Sequence, residues 1–128
     1  MLGLFKRKVL VVEDEPSLRK ALTEKLTVAG FSVLAAKDGQ EGLTMAINKH
    51  PRIILLDLML PKMDGMSVLD RLRRDEWGKN VPVIILTNLM ATDGYKKLAE
   101  EFNVVDYIVK SDRTLEEVVS KVRAVLQA

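Results

Sequence analysis

The chain predicts an α/β fold built on a parallel β-sheet, and three observations carry that expectation. Short aliphatic runs alternate with longer stretches of helical periodicity, the pattern of strands joined by crossover helices. Proline, glycine and capping pairs stand at the seams between them. Four of the runs end in a polar group: Val9-Leu10-Val11-Val12 in Glu13-Asp14, Ile53-Ile54-Leu55-Leu56 in Asp57, Val83-Ile84-Ile85-Leu86 in Thr87, and Tyr107-Ile108-Val109 in Lys110.

The first strand is expected over about Lys8–Glu13. Pro16 suits the first turn of a helix, where its missing N–H costs nothing. Leu18, Leu22 and Leu26, with Ala21 and Ala29 beside them, give that helix one apolar stripe, and Gly30 ends it. The second strand covers about Ser32–Ala36. Asp38 with Glu41 forms a capping box and opens a second helix through about Asn48. Pro51 breaks the chain before the third strand, which leads into Asp57. A third helix is expected over about Met66–Asp75, ended by Trp77-Gly78. The fourth strand is Pro82–Thr87, with proline at the tolerated first position. The fourth helix, about Asp93–Phe102, has the thinnest stripe: Tyr95, Leu98, Ala99 and Phe102. The fifth strand covers about Val105–Val109. Thr114 with Glu117 caps the last helix, whose buried face is Leu115, Val118, Val119, Val122, Val125 and Leu126.

With 128 residues, 48% of them hydrophobic and 30% charged, the chain is expected to form one globular domain over residues 8–128. Residues 1–7 read as a short arm: their apolar part is too brief, and their basic residues come too late, for a signal peptide. No second domain, repeat or linker is expected. The absence of cysteine excludes disulfides, zinc thiolate sites and thiol catalysis, and is compatible with a cytoplasmic location. A net charge of +2 is too small to imply direct nucleic-acid binding. No apolar run approaches the ~20 residues needed to span a bilayer.

In an open parallel sheet, ligands bind outside the carboxyl ends of the strands. Glu13, Asp14, Asp57, Thr87 and Lys110 would therefore converge on one edge. Three acids, a hydroxyl and an ammonium make a site for a divalent cation and a phosphoryl group. Taken singly, each has an ordinary alternative. Glu13 and Asp14 can cap the first helix, Asp57 can be a solvated strand-end acid, Thr87 a loop hydroxyl and Lys110 a surface lysine. Only their convergence favours a site. His50 has no acidic or cysteine partner in sequence and reads as a loop residue. Trp77 reads as a partly buried lid on the third helix, and Arg71, Arg73 and Arg74 as a solvated helix face.

From about Lys8 to Leu126, the chain resembles the response-regulator receiver domains of two-component signalling. The resemblance rests on Val11-Val12-Glu13-Asp14-Glu15, Leu56-Asp57 with Pro61 and Asp64-Gly65, Leu86-Thr87, and Asp106-Tyr107-Ile108-Val109-Lys110, in that order. It implies a flavodoxin-like (βα)5 doubly wound parallel sheet of strand order 2-1-3-4-5. It also implies that Asp57 is a phosphoacceptor, taking a phosphoryl group from a histidine kinase or phosphotransfer protein. Asp14 and Asp57 would bind Mg²⁺ directly, or Mn²⁺ in its place, with the Met59 carbonyl as a backbone ligand and Glu13 acting through a water. Lys110 and Thr87 would contact phosphoryl oxygens. Thr87 and Tyr107 would form the activation pair, read out on the face of helix 4, strand 5 and helix 5, where Tyr95, Lys96, Lys97 and Glu100 are candidates. The resemblance implies a monomer or weak dimer acting on a downstream protein target or a fused effector, and catalysing only its own phosphorylation and dephosphorylation.

The chain departs from the family pattern at three points. Ser111 stands where the family usually has proline after the lysine. A cis bond to a non-proline residue costs about 3–4 kcal/mol, so a trans Lys110–Ser111 bond is expected. Asn88 stands where the family usually has a small residue, and a narrower access to Asp57 is expected from its larger side chain. Met59 and Leu89 occupy the positions that tune hydrolysis of the aspartyl phosphate; both are apolar and cannot orient water, so a long-lived phosphorylated form is expected. The alternatives are the receiver half of a longer DNA-binding regulator, a phosphorylation-independent pseudo-receiver and an Asp-nucleophile phosphohydrolase. The last has a second acid two residues after its nucleophile, where Met59 stands here. An FMN or dinucleotide module would need a glycine-rich loop where Asp14-Glu15-Pro16 stands.

Overall fold

The structure is a computed structural model and describes residues 7–88, 93–110 and 114–127. Strands and helices alternate along it: β1 (Lys8–Val12), α1 (Pro16–Val28), β2 (Ser32–Ala36), α2 (Gly39–Lys49), β3 (Ile53–Leu56), α3 (Gly65–Arg74), β4 (Val83–Thr87), α4 (Asp93–Phe102), β5 (Asp106–Val109) and α5 (Leu115–Gln127). The strands pair in parallel in the order β2-β1-β3-β4-β5. The expected fold class and strand order both hold.

Strand side chains alternate between faces, so the sheet carries two cores. Val9, Val11, Ile53, Leu55, Ile84, Leu86 and Ile108 pack with Leu22 and Leu26 of α1 and Val118, Val119 and Val122 of α5. On the other face, Leu10, Val12, Ile54, Leu56, Val83 and Ile85 pack with Leu43 and Ala46 of α2 and Val68, Leu69 and Leu72 of α3. Every residue of β3 is buried, as a central strand covered on both faces requires. Truncating a fully buried side chain such as Leu55 to alanine would cost about 2–5 kcal/mol.

Several boundaries shift by a residue or so, each for a local reason. β1 stops at Val12 and leaves Glu13 beyond the strand, while α2 runs on to Lys49. α3 starts a residue earlier than expected because Asp64 takes the N-cap and accepts the N–H of Ser67 at 3.0 Å, and it ends at Arg74 because Asp75 is extended as the C-cap. Pro82 precedes β4. β5 begins at Asp106, although the Val105 N–H already bonds the Val83 carbonyl at 3.0 Å. The α2 capping box is offset: Asp38 accepts the N–H of Glu41 at 2.8 Å, but the Glu41 side chain returns to the amide of Lys37.

His50 is exposed, as a loop residue would be, but it also ends α2 in the left-handed region at φ 49°. Its ring stacks on half-buried Trp77, with centroids 4.5 Å apart. Arg73 corrects the sequence reading. Arg71 and Arg74 are exposed, but Arg73 is half-buried and donates to four carbonyls: Phe102 (2.7 Å), Gly78 (2.7 Å), Val81 (2.8 Å) and Asn103 (3.3 Å). Its guanidinium thereby ties the end of α3 to the end of α4 and to the segment entering β4.

Candidate functional site

The strand register brings the polar run-ends together. Val12 pairs with Leu56, Leu56 with Ile85, and Thr87 with Val109. One step further, Glu13, Asp57 and Lys110 leave the same edge of the sheet. By strand parity these three continue the face covered by α1 and α5, whereas Thr87 and Tyr107 lie on the opposite face. Thr87 is buried and Tyr107 half-buried; they occupy neighbouring strands, with Tyr107 opposite Ile85.

Lys110 is the centre of the cluster. Its Nζ donates to Asp57 Oδ2 at 2.8 Å and forms an ion pair with Glu13 Oε1. Asp57 Oδ1 accepts the Met59 N–H at 3.1 Å, and the Asp57 N–H is anchored on the Val12 carbonyl at 3.1 Å. Glu13 Oε2 accepts the N–H of Glu15 at 3.0 Å at the start of α1. That bond reaches the N-cap residue and not the first turn, so Glu13 holds the entry to α1 with one oxygen without capping the helix. Glu13 Oε1 is wholly buried and meets the Lys110 ammonium in an ion pair.

Burial pushes the Glu13 carboxyl above its ordinary range; Lys110 and the Glu15 N–H pull it down, and the Asp57 charge pushes it up again. Burial also opposes the Lys110 charge, but the bonds to Asp57 and Glu13 outweigh it and hold the ammonium above its ordinary range.

Glu13, Asp14 and Asp57 each present a carboxylate oxygen, and these oxygens lie within 4.8 Å of one another. Glu13 and Asp57 are buried, while Asp14 is exposed. An all-oxygen, anionic donor set, two of its three members buried, fits a hard divalent cation. These residues line a cleft of about 580 Å³ together with Glu15, Leu18, Met59 and Asn88. Asn88 is exposed at its rim, and Met59 is 65% exposed.

The family model described as the response regulator receiver domain matches residues 9–123. The chain belongs to that family. As a receiver, it is 40% identical over 125 residues to "Probable transcriptional regulator ycf27" of Porphyridium aerugineum, covering 95% of this chain and 49% of the relative. It is 38% identical to the "DNA-binding dual master transcriptional regulator RpaA" of Synechocystis, covering 94% of this chain and 49% of that protein. The chain therefore spans about half the length of the curated relatives it matches. Among solved structures, the receiver domain of the Francisella response regulator 1452 superposes with a TM-score of 0.84 at 29% identity, covering 93% of this chain and 95% of that one. The Vibrio cholerae chemotaxis protein CheY4 gives 0.85 at 26%, covering 94% and 98%.

Two residues that build the site of this receiver were given no role from the sequence. Arg19 Nη1 donates to the carbonyls of Glu13 (3.0 Å) and Asp14 (3.2 Å), fixing the acidic loop from α1. Gly65 donates to the Leu58 carbonyl at 2.9 Å, and a Cβ there would stand 2.5 Å from the Asp57 carbonyl oxygen, so only glycine lets α3 start this close. The Asp64-Gly65 pair was visible as a motif; nothing in the periodicity marks Arg19. Of the sequence expectations, Leu89 and the Lys110–Ser111 bond lie outside the described residues, as do residues 1–6 of the arm and the side chains of Tyr95 and Lys96. Lys97 and Glu100 are exposed on α4.

Proposed function

We propose that this receiver takes a phosphoryl group onto Asp57 from a histidine kinase or phosphotransfer protein. The observation that carries the reading is the placement of Lys110 Nζ between Asp57 and buried Glu13, beside a third carboxylate. Asp57 Oδ attacks the phosphorus of a phosphohistidine, the P–N bond breaks, and the imidazole leaves with the electron pair. Asp57 is oriented for this by the Met59 N–H. Lys110 offers a point charge to the phosphoryl oxygens and Thr87 a hydroxyl. Asp14 and Asp57, with the Met59 carbonyl and with Glu13 acting through water, would hold Mg²⁺ or Mn²⁺, which supplies neutralisation of charge at the site. Most of the catalytic effect is positioning and electrostatics, and no separate substrate is turned over.

Thr87 and Tyr107 share one face of adjacent strands, which supports their role as the activation pair read out along α4, β5 and α5. The curated relatives are named as transcriptional regulators and are about twice as long, which favours a fused DNA-binding effector over a free protein target. The receiver itself then makes no direct nucleic-acid contact. No described helix is long and apolar enough to cross a membrane, in keeping with a cytoplasmic role.

The test is intact mass after incubation with acetyl phosphate and Mg²⁺, beside Asp57→Asn and a metal-free sample. One added phosphoryl group, absent from both controls, is expected. An adduct on Asp57→Asn would refute Asp57 as the acceptor, and no adduct even from a phosphorylated kinase would leave the pseudo-receiver.

A further inference from the structure

We propose that Met59 is a methionine-oxidation site whose sulfoxide shortens the life of the phosphorylated receiver. This rests on the reading of Asp57 as the phosphoacceptor.

The chain has six methionines and no cysteine, so mild oxidation of its sulfur falls on methionine alone. Among the described methionines, Met45 and Met63 are half-buried against the core and Met66 is 39% exposed, whereas Met59 is 65% exposed. Met59 also lines the cleft that holds Asp57. Its backbone is pinned there: the Met59 N–H donates to Asp57 Oδ1 at 3.1 Å. The most accessible described thioether is therefore held beside the reacting carboxylate by its own main chain.

The unmodified side chain offers water no strong hydrogen-bond acceptor. A two-electron oxidant such as hydrogen peroxide transfers one oxygen atom to the Met59 sulfur. The O–O bond breaks, an S–O bond forms, the sulfur is oxidised and the peroxide leaves as water. The sulfoxide is polar and its oxygen accepts hydrogen bonds, so the cleft rim gains a group that orders water. Hydrolysis needs such a water: its oxygen bonds to phosphorus, the P–O bond to Asp57 breaks, and the carboxylate and inorganic phosphate are released. Oxidation thus turns an apolar guard into a water-holding one. Reduction by a methionine sulfoxide reductase reverses it.

The experiment uses the Mg²⁺-loaded protein. Peptide mass after brief peroxide treatment should show Met59 gaining one oxygen ahead of Met45, Met63 and Met66. Reduced and oxidised samples are then charged with acetyl phosphate, desalted, and followed by intact mass as the phosphoryl group is lost. The oxidised protein is expected to lose it severalfold faster. Met59→Leu should be insensitive to peroxide, Met59→Gln should decay fast without it, and sulfoxide reductase should restore the slow rate. Equal decay of oxidised and reduced protein, or the same acceleration in Met59→Leu, overturns the proposal alone. No adduct on the reduced protein, from acetyl phosphate or a kinase, overturns the phosphoacceptor reading and this proposal with it.

Discussion

Glu13 is where the physical chemistry of this receiver is most exposed to test. Its carboxyl is buried, bonds one backbone N–H, and leaves Oε1 to an ion pair with Lys110. Burial raises its folded-state pKa above the unfolded value of 4.5. The native state therefore binds more protons than the unfolded one in the window that opens near that value. Stability then falls as pH rises through the window. Glu13→Gln removes this contribution. In a chelator, urea unfolding should show the variant gaining on the wild type as pH climbs from about the ordinary glutamate range to neutrality. A constant difference across that range would mean that the burial of Glu13 carries no charge penalty. Lys110 has the opposite sign and a different window. Its raised folded pKa contributes stability that is complete below 10.5 and is lost only as pH rises through the raised value, so it leaves the acid and neutral comparison untouched. At this scale Glu13, Asp14, Asp57, Thr87 and Lys110 were legible because each ends an apolar run. Arg19 was not, because its partners are the Glu13 and Asp14 carbonyls, and a backbone acceptor leaves no mark in residue type.

Among the elements, the end of α3 carries the clearest disagreement between periodicity and packing. Spacing puts Arg73 beside Arg71 and Arg74 on a polar helix end, and a basic last turn suits the helix dipole. What spacing does not show is that the carbonyls of Gly78, Val81, Phe102 and Asn103 converge on that point. Burial lowers the Arg73 pKa from its ordinary value, and no carboxylate pairs with it among the described hydrogen bonds and ion pairs. The planar fork serves several carbonyls at once; a lysine ammonium is a compact point donor. Removing a charged donor loses its bonds and leaves partly buried acceptors unpaired, so Arg73→Ala should cost about 2–4 kcal/mol, with Arg73→Lys recovering only part. Equilibrium urea denaturation measures both. A loss below about 1 kcal/mol would show that water replaces the guanidinium at these carbonyls. The caps fared better in the sequence: Asp38 and Thr114 stand where their spacing to Glu41 and Glu117 put them, since a cap is a local contact. The earlier start of α3 came from Asp64, whose capping bond to Ser67 lies inside a motif first read only as part of the family resemblance.

Across the whole molecule, the fold was legible because the aliphatic runs, the helical stripes and the punctuation agree with one another. Strand order was not contained in those local signals; it came with the family resemblance, and the pairing of β1 with both β2 and β3 bears it out. That order makes the site a property of three strands rather than of one loop. Glu13 and Asp14 follow β1, Asp57 follows β3 and Lys110 follows β5. A cation held by the acids therefore binds only when distant parts of the chain are assembled, and its binding energy adds to the folding energy. At a free Mg²⁺ concentration about a hundredfold above its dissociation constant, the receiver should gain roughly 2.7 kcal/mol in unfolding free energy. The gain should be lost on adding a chelator and should saturate with Mg²⁺, while sodium chloride at matched ionic strength should not reproduce it. Asp14→Asn and Asp57→Asn should each abolish most of the rise, because each deletes one of the two carboxylates proposed to bind the cation directly. Conversely, a full rise in both variants would place the cation elsewhere. If Glu13 acts through water as proposed, Glu13→Gln should keep part of the rise, and that ordering of the three variants separates direct ligands from an indirect one.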